Sequence, residues 1–286
     1  LKTLSRKIKK SIDNIKVQWY NKDIVKIKGV QKMIDKRKKY TMVFDTETTG
    51  EIVTSKNGHE IMQKYIYDIG YTIADKKKIH LKRNFIVKEI FENVNLMNSA
   101  YYKSKIPMYN EMIENGEVDI IPFAEIVKIM QKDIQMYNVK AIAAYNISFD
   151  LDAFMQTTNT IYPNQFQMLF RITKKGSYAP DTEQFFQKYI ARKNLEIIDI
   201  WTLACQTLCN QKTFQTYYKQ ETAKGNIKSN AEIVYSYIID NEFIEDHTAL
   251  SDSIIETEIL QRIQKIHQKI ETKFAFMPYR LIQKNI

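Results

Sequence analysis

Cysteine, proline, glycine and long apolar runs are all scarce in this chain. Only two cysteines occur in 286 residues, Cys205 and Cys209, four apart in an apolar stretch. That spacing stacks them on one helix face, which excludes a secreted-type disulfide framework and favours buried thiols in a reducing compartment. Five prolines and seven glycines with 44% hydrophobic residues suit one well-filled globular domain carrying at most an appendage. No apolar run approaches the roughly 18 residues of a membrane-spanning helix, and no charged-then-apolar leader opens the sequence. The expectation is an intracellular, cytoplasmic protein (host cytoplasm if viral) with no membrane partner.

Acidic residues are also scarce at the start. The first forty residues hold fourteen of the 43 Lys and Arg but three of the 33 Asp and Glu, so this arm carries +11 and the remainder −1. Clusters such as Arg6-Lys7-Ile8-Lys9-Lys10 and Lys36-Arg37-Lys38-Lys39 have the charge to neutralise phosphates. Ile8, Ile12, Ile15 and Trp19 recur at helical spacing, so a solvated basic helix packed on the body, or one lying on a partner or an anionic membrane, accounts for the same residues. The division is a basic, helical arm over 1–39 and a domain over 40–286.

What is present in the body is alternation. Thr41 to Thr46, Tyr65 to Ala74 and His80 to Val87 read as an antiparallel meander, with a turn at Asp75-Lys76-Lys77-Lys78 and a looser polar connection from Glu51 to Gln63. Pro122 opens a helix running to about Asn138, and Ala141 to Tyr145 is a buried strand. A further βα unit spans Glu196 to Asn210, and Leu250 to Ile270 is a long final helix. Three antiparallel strands followed by alternating α and β predict an α/β fold with a mixed central sheet flanked by helices.

Three polar constellations punctuate these elements. Asp45 and Glu47 end the first strand; residues i and i+2 share a face there, so both carboxylates can converge on one cation while Thr46 points away. Asp150, in Tyr145-Asn146-Ile147-Ser148-Phe149-Asp150, sits where a buried strand meets a helix N-terminus, a place that suits a carboxylate either as a cap or as a ligand. His247-Thr248-Ala249-Leu250-Ser251-Asp252 heads the last helix. The five-residue gap puts His247 on the loop or first turn beside the acid.

In this order the motifs resemble those of the exonucleases with four acidic metal ligands and a histidine base, the proofreading-subunit or DEDDh group within the ribonuclease H-like superfamily. The resemblance covers roughly residues 40 to 267. It implies that Asp45, Glu47, Asp150 and Asp252 hold two Mg²⁺ or Mn²⁺ ions, that His247 is the general base, and that mononucleotides leave the 3′ end of single-stranded nucleic acid, DNA favoured over RNA. Thr46, Thr48 and Gly50 would lie against the strand end, with Asn146 beside it and Phe149 stacking on terminal bases. Carboxylate oxygens suit hard divalent ions better than zinc. The long stretches 161–194 and 214–230 depart from the pattern as insertions. Their lysines and tyrosines could line a single-strand channel. Two alternatives remain open: a proofreading subunit whose arm docks a polymerase or other replication partner, and a non-catalytic binding module on the same fold. Asp199 reads as a helix N-cap, and Asp68 and Asp152 as solvated or locally hydrogen-bonded.

Overall fold

A computed structural model of the chain describes residues 39–54, 58, 60–163 and 186–283. The basic arm, up to residue 38, and the central part of the 161–194 insertion lie outside the described residues. The chain forms β1 (Thr41–Thr48), β2 (Glu51–Thr54), β3 (Glu60–Gln63), β4 (Ile66–Ala74) and β5 (Ile79–Val87), followed by short helices α1 (Lys88–Phe91) and α2 (Val94–Met97). Next come α3 (Ile106–Glu114), β6 (Asp119–Ile121), α4 (Phe123–Tyr137), β7 (Ala141–Ala144) and α5 (Ile147–Ile161). The last part holds α6 (Phe186–Lys193), β8 (Glu196–Asp199), α7 (Ile200–Gln206), α8 (Ala231–Ile239) and α9 (Ala249–Ile263).

Six strands form one sheet in the order β6-β5-β4-β1-β7-β8. β4 runs antiparallel to both β1 and β5, whereas β7 and β8 continue parallel to β1. This is the mixed, helix-flanked sheet that the alternation of elements predicts. β6, which joins β5 in parallel at the edge, is an additional strand with too short an apolar pattern to have been expected.

Alternation along β1 divides the interior. Met42 and Phe44 enter one core with residues of α4 and α5, while Val43 enters a second core with α7 and α9. Asp45 and Glu47 share the parity of Val43 and so face the α9 side, and Thr46 faces the α5 side.

Three local expectations need correction. The Glu51 to Gln63 connection is not a loose loop throughout: β2 and β3 pair antiparallel as a ribbon outside the main sheet, leaving Ile52 and Met62 exposed. The last helix stops at Ile263. Beyond it Gln206 captures the chain, accepting the Glu271 and Thr272 N–H groups at 3.0 and 3.2 Å, and Ile266 and Ile270 pack on the second core from irregular backbone. Likewise α7 ends at Gln206, and Cys209 occupies a separate 3₁₀ turn over Leu208–Asn210. Both thiols are free and buried.

Candidate active site

The side chains of β1 diverge as its alternation requires. Asp45, Glu47 and Asp252 bring one carboxylate oxygen each to within 4.8 Å of one another. Thr46, on the opposite face, donates its hydroxyl to Asp150 Oδ1 at 2.8 Å, which ties the first turn of α5 to β1. Asp150 is not a helix cap: Asn146 holds that position in left-handed backbone, φ 66°. Asp150 lies outside the 4.8 Å group, yet its charge acts on both Asp45 and Glu47.

Asp252 is carried in by a close helix–sheet contact. Gly70 pairs with Asp45 across the β1–β4 ladder, and a Cβ on Gly70 would lie 2.1 Å from the Ala249 carbonyl carbon. The absence of a side chain there lets the α9 N-terminus rest on β4. Flanking contacts fix it: Asp68 Oδ2 accepts the Ala249 N–H at 3.1 Å and the Tyr109 hydroxyl at 2.9 Å, and Thr72 and Thr257 share a 2.6 Å hydroxyl contact. Asp68 is thus locally hydrogen-bonded and fully buried rather than solvated. Asp199 caps α7 by accepting the Thr202 N–H, and also accepts the Asn146 N–H at 2.9 Å.

His247 precedes α9 in left-handed backbone, φ 51°, a conformation costing a non-glycine residue about 1 kcal/mol. Neighbours hold it there. Tyr102 stacks on the imidazole at 4.5 Å and 17°, and Lys105 Nζ donates to the His247 carbonyl at 3.1 Å and to that of Asp246. Glu245 lies 3.6 Å from Nδ1, and Glu245, His247 and Asp252 form a second close group. Burial, and then the Lys105 charge, lower the imidazole pKa, so the ring stands as a free base near neutrality.

Burial dominates the electrostatics, and repulsion among the acids adds to it at Asp45, Glu47 and Asp252. Burial pushes Asp45 well up, reinforced by Glu256, Asp150, Asp252 and Glu47 in turn. Burial and Asp252 raise Glu47 to about 9, burial and Glu245 raise Asp252 to about 8, and burial raises Asp150 to about 7 against the Thr46 hydrogen bond. Lys105 is the cation that opposes this at Glu47 and Asp252. An all-oxygen donor set, crowded acids and a buried Asp252 Oδ1 without a hydrogen-bond partner together fit a hard divalent cation. Glu47 and Asp252 each keep only 9% of their surface exposed, and Asp45 is half-buried.

The expected substrate contacts distribute unevenly. The Thr49 and Gly50 N–H groups are already committed to the Tyr65 and Ser99 carbonyls at 2.9 and 3.1 Å, which leaves the half-buried Thr48 side chain as the more accessible part of that loop. Phe149 is half-buried, with Lys64 Nζ 4.3 Å from its ring centre, and Lys64 also pairs with Asp152 at 3.3 Å. Asn146 is half-exposed beside the site.

Sequence reasoning missed Glu256, Glu245, Tyr102 and Lys105. Glu256, buried one turn beyond Asp252, accepts the Tyr145 N–H at 3.0 Å; its i+4 spacing from Asp252 was the available signal. Tyr102 and Lys105 arrive from a distant segment and carry no motif.

No protein-family model matches the chain, and no curated protein does. Solved structures similar to it include a 3′-exonuclease recognising a histone mRNA stem-loop (10% identity, TM-score 0.45, covering 80% of this chain and 65% of that one). Another is an SSB/Exonuclease I complex with an inhibitor (11%, 0.48, 80% and 42%). A third is a nuclease domain of a DEDDh family member bound to rAMP (12%, 0.44, 84% and 100%). The chain thus spans less than two thirds of the first.

Proposed function

We propose that the protein is a divalent-metal-dependent 3′→5′ exonuclease acting on single-stranded nucleic acid. The observation carrying this reading is the convergence of Asp45, Glu47 and Asp252 within 4.8 Å, with Asp150 fixed by Thr46 and His247 at the rim. Asp45, Glu47, Asp150 and Asp252 would hold two Mg²⁺ or Mn²⁺ ions. Such ions supply charge neutralisation at the scissile phosphate and a water poised to lose a proton.

The chain's own groups do the remainder. His247, unprotonated at neutral pH, accepts the proton of the attacking water through its imidazole. Tyr102 and Lys105 fix the ring and its backbone, so the acceptor is placed before substrate arrives. Thr48 and Phe149 flank the cluster where a terminal nucleotide would lie, and Lys64 sits beside Phe149 to face a phosphate. Glu256 anchors the chain just past β7 by accepting the Tyr145 N–H.

The test is cleavage of 5′-labelled single-stranded DNA and RNA with Mg²⁺, Mn²⁺ or chelator. A ladder receding from the 3′ end, lost with chelator and in Asp45→Ala, supports the reading, and the two substrates decide the sugar. No shortening of either by a folded, metal-loaded protein would overturn it.

A further inference from the structure

Beside the carboxylates lies a second feature that the chemistry above does not use. A cleft of about 1030 Å³ opens between α7, α8 and the 214–230 insertion. Its lining includes residues close in the chain to the candidate site at two places. Asn146, at the head of the helix bearing Asp150, lines it, and so do Glu242, Phe243 and Ile244, the residues leading to His247. Glu232, on the same lining, acts electrostatically on His247.

The lining combines aromatic faces with carboxamides. Tyr145, Trp201, Phe243 and Tyr279 are all half-buried. Trp201 is held by its indole N–H to Ser229 Oγ at 2.8 Å, and Tyr145 by its hydroxyl to the Ser229 carbonyl, so both rings are fixed before anything binds. The Asn226 and Asn230 carboxamides make no hydrogen bond among the described residues, and both residues line the cleft. Lys224 and Lys228, both exposed, come from the insertion.

We infer that this cleft binds an unpaired nucleobase of the same strand whose 3′ end lies at the carboxylates, an inference that rests on the proposed function. Fixed aromatic faces stack on any base, and free carboxamides can both donate to and accept from a base edge. Glu232 and Glu242 repel phosphate, which confines the backbone to the lysine-bearing lining. The 214–230 insertion thereby acquires a role: it builds the far wall of a base-binding subsite and selects for strands long enough to reach it.

Trp201 provides the readout. The chain has two tryptophans, so Trp19→Phe leaves Trp201 as the single indole reporter. In chelator, where the strand stays intact, fluorescence of the Trp19→Phe protein is titrated with a mononucleotide and with single strands of increasing length. The expected result is quenching by strands of several nucleotides, at least tenfold weaker binding by the mononucleotide, and about tenfold loss of strand affinity in Lys224→Ala/Asn226→Ala, whose exposed and half-exposed side chains can change without loss of the fold. No quenching by any strand would overturn the inference, as would equal quenching by mononucleotide or unchanged affinity in the double variant. The 3′-shortening assay is independent. Shortening without Trp201 quenching sinks only the subsite, and quenching without shortening sinks only the nuclease.

Discussion

At the scale of single residues, the acids of the cluster bear opposite consequences for stability and for function. Glu47, ordinarily near 4.5, rises to about 9 when folded, so in the metal-free protein it holds a proton that the unfolded chain releases. Stability contributed by such a group is present at low pH and falls as pH climbs through that window. Glu47→Gln should therefore raise the melting temperature in chelator at pH 7 by roughly 2–4 °C or more, about 1 kcal/mol in a chain of this size, while abolishing turnover. Calorimetry of the two proteins checks this, and a lower melting point for Glu47→Gln would contradict it. Because cations need the ionised acids, Mn²⁺ affinity should rise steeply between about pH 6 and 9 with proton release, readable by titration calorimetry in buffers of different ionisation enthalpy. His247→Ala should retain Mn²⁺ binding yet lose ~10²–10⁴ in kcat. With its pKa lowered, the acid limb of wild-type kcat should fall below the ordinary histidine value of about 6.5.

At the scale of elements, two contacts decide whether these residues meet. Gly70→Ala places a Cβ against the backbone of Ala249 and must lift α9, and with it Asp252, from β4. Overpacking of that kind costs ~2–3 kcal/mol; the melting temperature should drop by roughly 5–10 °C and metal affinity should drop with it. The segment carrying Tyr102 and Lys105 has a narrower effect. Tyr102→Ala should lower kcat by about tenfold with metal binding unchanged, and should add no further loss in a His247→Ala background, as expected when one residue acts through another. An additive loss in the double variant would contradict that coupling.

The elements also show what sequence could convey. Period-two alternation in β1, β4 and β5 and the i, i+2 acids of β1 translate directly into faces of a sheet, so the fold, and the placing of Asp45, Glu47, Asp150, His247 and Asp252 at one end of it, were legible. Contacts between segments far apart were not. Nothing local marks Gln206 as the group that holds the chain beyond α9, or Lys105 as the support of a loop 142 residues away. The β2–β3 ribbon was masked by its polar setting.

At the scale of the whole molecule, charge is divided unevenly along the sequence. The body is close to neutral and the acids are gathered at one end of the sheet, while the arm preceding it carries +11 over forty residues. If the arm engages phosphates, a chain lacking residues 1–38 should bind single strands more weakly and show a shallower dependence of log affinity on log salt, by ~0.7 for each phosphate that the arm neutralises. An unchanged slope would contradict phosphate binding by the arm and leave it to solvent, a partner or an anionic membrane. Among the described residues no helix is long and apolar enough to cross a membrane.

In the proposed reaction, one acidic cluster with His247 releases nucleotides from a 3′ end. Its most direct measurement follows a single strand labelled at the phosphate of its last linkage, with Mg²⁺, in wild type and Asp45→Ala. The account predicts that the first labelled product is a nucleoside 5′-monophosphate and that Asp45→Ala releases none. Labelled fragments of two or more nucleotides as first product, or equal release by Asp45→Ala, would contradict it.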